Sequence, residues 1–398
     1  MKLLKKALLV WDNTGKVNLL PDDKPRSDQM QGTCREQLVE YAGRTCYDSL
    51  GTGRPSFSSY SRKVKRGLVG GVMYFDEEHV EGYHDHIRAV GHGSVLEHAV
   101  QTIEVKMGYI QACAALVNVP GVFVRPLFGN PRITFNARVV RDWKSIMRRI
   151  HGNLACPYPV ETDVVYCAMH KALMRLMPGV FPHTGDSSLT YDVGMNIVEP
   201  GHNEERWVSL YLTGSRGFSH EMVRHKFRTA VSQRSTRYVD EDGSDWVRHP
   251  LVNVFIDEMN RRADMGDAQA DDAAATAGLV ESCIQNVEHE GRDAYKQLAR
   301  ELQAWLIARG VDKTTARKQA RGAARGYLGN ALSTEMIFSA SVAQWREILR
   351  QRLSPGADAE IRAVAADMLS ELRLSQYADQ FVDMATGYSP DGIGEVLV

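Results

Sequence analysis

The segment 224–238 reads Arg-His-Lys-Phe-Arg-Thr-Ala-Val-Ser-Gln-Arg-Ser-Thr-Arg-Tyr, gathering Arg224, Lys226, Arg228, Arg234 and Arg237 with no carboxylate among them. Guanidinium groups offer a planar fork of donors, and the interspersed Thr and Ser offer short hydroxyls. That combination suits a phosphate or the polar edge of a nucleotide. Charge at this density must lie in water or meet an anion, because an isolated buried charge is too costly. From composition alone, an anion site and a solvated helix face explain the run equally well. A second group, Gly91-His92-Gly93-Ser94 with Glu97-His98 after it, joins a glycine-rich turn to side-chain donors. Such a turn presents backbone N–H groups to a ligand, although a Ser and a His in a turn also serve as local hydrogen-bonding groups.

The elements that must hold these groups alternate between helix and strand. Residues 1–32 read as a polar extension with one strand at 6–10, followed by helices over 35–49 and 80–90, the latter stopped by Gly91. The stretch 95–105 alternates as a strand does, and a further strand at 132–135 leads into a helix over 137–150. A strand at 208–213, Gly214 and a helix over 218–228 would carry Arg224, His225 and Lys226. Residues 257–278, rich in Ala, Asp and Met, have no apolar period and read as a loop or an exposed helical excursion. An amphipathic helix over 279–309 sets Ile284, Val287, Tyr295, Leu298, Leu302 and Trp305 at helical spacing as core residues, with Gly310 as its stop. Helices over 313–324, 342–352 and 360–373 follow, with Pro355-Gly356 between the last two.

At 398 residues the chain can form one large domain or two ordinary ones. A net charge of −1 argues against a general nucleic-acid binder. Six cysteines without a Cys-x-x-Cys pair remove the zinc-ribbon and dithiol readings, so no metal is expected and a reducing, cytoplasmic setting fits. The apolar stretch in MKLLKKALLV is too short for a signal peptide, and no run is long enough to span a bilayer.

The order of the motifs narrows the chemistry. Arg224-His225-Lys226, a spacer, then Ser235-x-Arg237-Tyr238 resembles the flavin-dependent thymidylate synthases, which carry Arg-His-Arg, a seven-residue spacer and the Ser. Lys226 stands where that family has its second Arg, and the spacer 227–234 is one residue longer. The octet 91–98 is similar to the family's Gly-His-x-Ser/Thr-x-x-Glu-His, and 42–49 to its first helix. Arg325-Gly-Tyr-Leu328 resembles Arg-x-x-Leu-Pro with Gly329 for the Pro, Arg352 lies at the family's distance beyond it, and Glu360-Ile361-Arg362 matches Glu-Ile-Arg. The family's Asn-x-Arg is missing, since Ser341 and Ala343 hold those positions, yet Asn136-Ala137-Arg138 resembles it. Gly-His also occurs twice, at 91–92 and 201–202. Two organisations fit: a degenerate internal duplication into 33–155 and 156–398, or one family domain with a long insertion across 107–205.

The resemblance implies an α/β (α+β) fold, a mixed sheet flanked by helices, in a homo-oligomer (dimer or tetramer) with active sites shared between subunits. It implies bound FAD, reduction by NADPH, and transfer of the methylene of methylenetetrahydrofolate to C5 of dUMP, giving dTMP. Ser235 and Arg237 would hold the nucleotide, with Gln233, Arg234 and Glu221 around it and Arg325 on its phosphate. Glu221 stands where the family commonly has a phosphate-binding Gln, so it either points away or belongs to a changed pocket. Arg352 would face the uracil as the principal electrostatic catalyst. His92, Ser94, Arg224, His225 and Lys226 would contact FAD, joined by Asn136 and Arg138 if they replace the missing Asn-x-Arg. Alternatives are a C5-methylase or hydroxymethylase of UMP or dUMP, and a nucleotide-binding homologue without turnover.

Overall fold

The computed structural model describes residues 6–13, 17, 33–47, 68–69, 72–73, 93–116, 118–125, 130–151, 160–178, 180–181, 194–266, 270–389 and 395–397. The helix expected at 80–90, His92 and most of 1–32 lie outside the described residues. In chain order, β1 (Ala7–Trp11) and α1 (Cys34–Cys46) precede a short hairpin of β2 (Leu68–Val69) and β3 (Val72–Met73). Then come β4 (Val100–Val105), α2 (Tyr109–Leu116), β5 (Val122–Arg125), β6 (Arg132–Asn136), α3 (Ala137–Arg141), α4 (Trp143–His151), α5 (Val160–Leu176) and β7 (Met195–Ile197). The rest comprises β8 (Trp207–Ser215), α6 (Arg216–Met222), β9 (Thr229–Gln233), α7 (Pro250–Asp264), α8 (Ala270–Ala308), α9 (Lys313–Ala324), β10 (Ser333–Ser341), α10 (Val342–Arg352), α11 (Ala359–Leu372), β11 (Thr386–Tyr388) and β12 (Glu395–Leu397).

The strands form two four-stranded sheets, ordered β1-β8-β10-β9 and β5-β6-β4-β7, besides two small hairpins. Every pairing in them is antiparallel, so the expected mixed sheet resolves into two antiparallel ones among the described residues. Each sheet has its own apolar core, one built on Ile103, Ile133 and Phe135, the other on Leu210, Phe338 and Trp345. Tyr211 and Ile337 of the second sheet join the first core, where Tyr211 stacks on Tyr41 of α1 at 6.1 Å between ring centroids. Burying Trp345 costs no hydrogen bond, because its Nε1 donates to the Val208 carbonyl at 2.9 Å. Truncating a side chain of that size in a core costs about 3–5 kcal/mol.

Several boundaries differ from the sequence reading, each for a physical reason. The strand expected at 95–105 begins at Val100, because residues 93–98 wind into a 3-10 turn that buries His98. The helix expected over 218–228 is α6, which starts under the Ser215 cap and ends at Met222. There the chain must reverse to enter β9, and Arg228 turns it with φ of 49°. Residues 257–278 are largely helical, and α8 begins well before 279. Its apolar side is not core: Tyr295 is buried, whereas Val287 and Trp305 are 61% and 52% exposed. A 39-residue helix is about 58 Å long, too long to be covered by this body, so α7, α8 and α9 stand out as a helical projection. No helix among the described residues is long and apolar enough to cross a membrane.

Candidate active site

The site is organised by α6, which is held at both ends. At its start the Ser215 hydroxyl accepts from the Phe218 N–H at 3.0 Å and donates to Glu360 at 2.6 Å, while Glu360 also accepts the Ser215 N–H at 2.8 Å. Glu360 and Arg362 are therefore anchoring residues, both buried, with Arg362 donating to Ser389 and the Pro355 carbonyl. That clamp fixes Arg216, the first helical residue, beside the end of β9.

Around Arg216 the cationic run gathers. The Arg216 guanidinium reaches the Arg234 carbonyl and the Thr334 hydroxyl at 3.4 and 3.5 Å. Gln233 spans Ser219 and Thr334, donating at 2.8 and 3.2 Å. Arg234 donates to Ser244 at 2.8 Å and pairs with buried Glu241 at 3.4 Å, and Arg325 donates to Thr236 at 3.3 Å. Burial lowers the Arg216 pKa, Glu241 opposes this, and the charges of Arg325 and Arg234 lower it further. Three guanidinium groups thus lie close enough to act on one another's charge, with Glu241 paired to Arg234, and an anion would offset their repulsion. Ser235 is half-buried and Arg237 exposed beside them. Cys46, whose carbonyl accepts the Ser235 N–H at 2.9 Å, carries a thiol that burial pushes up to about 11, so it stays protonated and is no nucleophile.

At the other end of α6 a second cluster forms. Arg352, the last residue of α10, donates to the Glu221 carboxylate at 2.6 Å, the Glu221 carbonyl at 3.3 Å and His225 Nε2 at 3.0 Å. Burial and the neighbouring Arg352 charge hold the His225 pKa down at about 4. The imidazole is neutral at pH 7, and accepting through Nε2 places its proton on Nδ1. Glu221 pairs with Arg352 at the end of α6 opposite the Arg216 cluster. Between Arg216 and Glu221 the helix rises about 8 Å, the scale of a nucleoside monophosphate with its phosphate at one end and its base at the other.

A cleft of about 650 Å³ opens nearby, where the two sheets meet. Asn136, Arg138 and Arg149 line it from the first sheet's helices, Lys226 and Arg228 from the turn after α6. Arg138 is paired with Glu97 and with Asp142, the latter at 3.0 Å, and Arg228 lies over the Phe123 ring at 4.0 Å. Glu97, Asp142 and Glu204 also line it, the first two engaged by Arg138, so Arg149, Lys226 and Arg228 are the cations set beside its aromatic and aliphatic walls, in a volume usual for a nucleotide-sized ligand. Of the residues expected at a flavin, Asn136, Arg138 and Lys226 line this cleft, whereas Ser94, Arg224 and His225 do not. Among the described residues no group of three or more His, Cys, Asp or Glu could hold a metal ion.

Residues 204–375 match the sequence model of the family described as "thymidylate synthase complementing protein". That segment is similar to this family. Relatives named "Flavin-dependent thymidylate synthase" include one from Mycobacterium sp. (strain JLS), 35% identical over 184 residues, or 44% of this chain and 63% of the relative. Those of Mycolicibacterium vanbaalenii and Mycobacterium tuberculosis (strain ATCC 25177 / H37Ra) are each 34% identical, over 181 and 184 residues, with the same coverage. The chain thus spans about 63% of the length of the curated relatives it matches. The matched segment holds both ends of α6 and the distal arginines, whereas Asn136 and Arg138 lie before it.

Sequence reasoning missed Arg216 and Glu241, and gave Arg228 no role beyond its place in the cationic run. Arg216 had a local signal, the Ser-Arg-Gly that starts a helix directly after a strand. Glu241 had none, because it meets Arg234 only through the loop that Tyr295 of α8 pins, its hydroxyl accepting the Glu241 N–H at 3.3 Å.

Proposed function

We propose that this chain is an FAD-dependent thymidylate synthase, acting in the cytoplasm. It would move the methylene of methylenetetrahydrofolate to C5 of dUMP, with reducing equivalents from NADPH. The observation that carries the reading is the spacing of two cationic groups along α6: Arg216 with Arg234 and Arg325 at one end, Arg352 at the other. The first group would bind the phosphate, with Gln233, Ser235 and Arg237 on the nucleotide. Arg352 would then face the uracil, where its charge stabilises electron density drawn toward the ring oxygens and makes C5 nucleophilic.

Lys226, Arg228, Asn136 and Arg138 would hold the flavin in the adjoining cleft. When bound, FAD supplies the hydride and the one-carbon relay; the protein supplies position and charge. Exposed Arg325 and Arg237 at the rim of the phosphate pocket support a homo-oligomer, dimer or tetramer, whose neighbouring subunit closes the site. The reading is tested by incubating purified protein with dUMP, FAD, NADPH and methylenetetrahydrofolate and weighing the nucleotide product. A gain of one methyl group supports it. Unchanged dUMP with flavin bound would favour the nucleotide-binding homologue, and a hydroxymethyl product the related hydroxymethylase.

A further inference from the structure

The two four-stranded sheets repeat one another in element order and at several register positions, with α7–α9 inserted between β9 and β10 of the second. Each is built as strand, helix, edge strand, central strand, helix: β4, α2, β5, β6, α3 in one and β8, α6, β9, β10, α10 in the other. The ladders end alike, Val100 facing Asn136 and Trp207 facing Ser341. Two residues on, the facing hydroxyls bond in both: Thr102 with Thr134 at 2.9 Å and Ser209 with Ser339 at 2.6 Å. Asn136 caps α3 by accepting the Val139 N–H, and Ser341 caps α10 by accepting the Gln344 N–H. The residue before each edge strand has positive φ, Gly121 at 78° and Arg228 at 49°.

Matching positions also clasp the opposite sheet. His98 bonds Ser232 and Ser339 of the second sheet at 2.9 and 2.7 Å. Its counterpart by strand register, Glu205, pairs with Arg125 and Arg132 of the first at 3.5 and 3.1 Å. Reciprocal contacts of this kind define an isologous, two-fold interface.

The cleft lies where the two copies meet, because the turn 119–122 of one and the turn 226–229 of the other both line it. Because matching turns of both copies line it, this cleft lies on the pseudo-two-fold axis and is one cavity shared by the two. Its charge is not shared. One diagonal carries Arg138 of the first copy and Lys226 and Arg228 of the second. The matching positions in the other sense are Val119 and Gly121, which line the cleft, and Ala343, which does not, and none of them is a cation.

We infer that the chain is a fused pseudo-dimer that binds a single flavin dinucleotide in this cleft, in one orientation, with the diphosphate on the Arg138–Lys226 diagonal. This rests on the flavin-dependent reading above. It also accounts for the missing Asn-x-Arg: the first copy supplies from Asn136 and Arg138 what Ser341 and Ala343 do not.

Equilibrium dialysis of the full chain against FAD tests the assignment, alongside Arg138→Ala and Arg138→Lys. Wild type is expected to bind one FAD per chain, Arg138→Ala at least tenfold more weakly, and Arg138→Lys in between because the fork is lost but the charge kept. The Arg138 side chain is 42% exposed, so both variants should fold, and their unfolding midpoints check this. Inorganic pyrophosphate should compete with FAD on wild type and much less on Arg138→Ala. Two FAD per chain, or one FAD held equally well by folded Arg138→Ala, would overturn the single cleft and leave the proposed activity standing. No flavin binding by wild type would overturn both.

Discussion

The Glu221 carboxylate holds the Arg352 guanidinium at 2.6 Å, so the chief cation expected at the uracil is partly neutralised before any substrate arrives. Both side chains are partly exposed, and such a pair contributes about 1 kcal/mol or less to stability. Its importance is positional. Arg352→Ala is expected to lower kcat on the order of 100-fold or more, as loss of an electrostatic donor does, with a smaller change in KM. Arg352→Lys should recover part of it. Glu221→Gln keeps an acceptor and removes the opposing charge, so dUMP should bind several-fold more tightly while the unfolding midpoint barely moves. Steady-state kinetics and dUMP titration check this, and an Arg352→Ala enzyme with normal kcat would remove Arg352 from the mechanism.

Arg216 makes a separate prediction. Because Arg216, Arg234 and Arg325 repel one another around Glu241, an anion in their midst should stabilise the fold. At 100 times its dissociation constant dUMP should add about 2.7 kcal/mol. Arg216→Ala should weaken dUMP binding tenfold or more and slightly stabilise the nucleotide-free protein. Thermal unfolding with and without dUMP measures both; equal ligand shifts in wild type and variant would place the phosphate elsewhere.

His98 gives the pH dependence. Burial holds its pKa down at about 3, against 6.5 for a free imidazole, and its two nitrogens are taken up by Ser232 and Ser339. A depressed folded pKa contributes stability that is complete above pH 6.5 and is lost as pH falls toward 3. At pH 5 the loss is about 2 kcal/mol from this group alone. His98→Gln, which can still bond both serines, should lose less stability than wild type between pH 7.5 and 5. Parallel losses in the two proteins would show that His98 does not carry this term.

Arg228 combines strain with stacking. Its φ of 49° costs a non-glycine residue about 1 kcal/mol, while its guanidinium over Phe123 returns a comparable amount. Arg228→Gly loses the stacking and relieves the strain; Arg228→Ala loses the stacking and keeps the strain. Denaturant unfolding should therefore rank Arg228→Gly above Arg228→Ala by about 1 kcal/mol, and the reverse order would contradict the strain.

Legibility in the sequence followed caps and local periods. Helices α9, α10 and α11 fall within a residue of their expected bounds because Asp312, Ser341 and Asp358 cap them. Where tertiary geometry decides, the sequence was silent. The end of α6 at Met222 is set by the reversal into β9, and Val287 and Trp305 look like core residues only if α8 has a body to lie on. The motifs located Ser235, Arg325 and Arg352 individually. Arg216, whose guanidinium reaches the Arg234 carbonyl, lies eight residues ahead of Arg224, and the Glu221–Arg352 pair joins residues far apart in the chain.

The most direct test is release of tritium from C5 of labelled dUMP, with UMP in parallel, in the presence of FAD, NADPH and methylenetetrahydrofolate. Substitution at C5 must expel that hydrogen, so the proposed activity predicts release from dUMP that requires both the folate and NADPH, falls sharply in Arg352→Ala, and is far weaker from UMP. Retention of the label in dUMP by protein carrying bound flavin would contradict it.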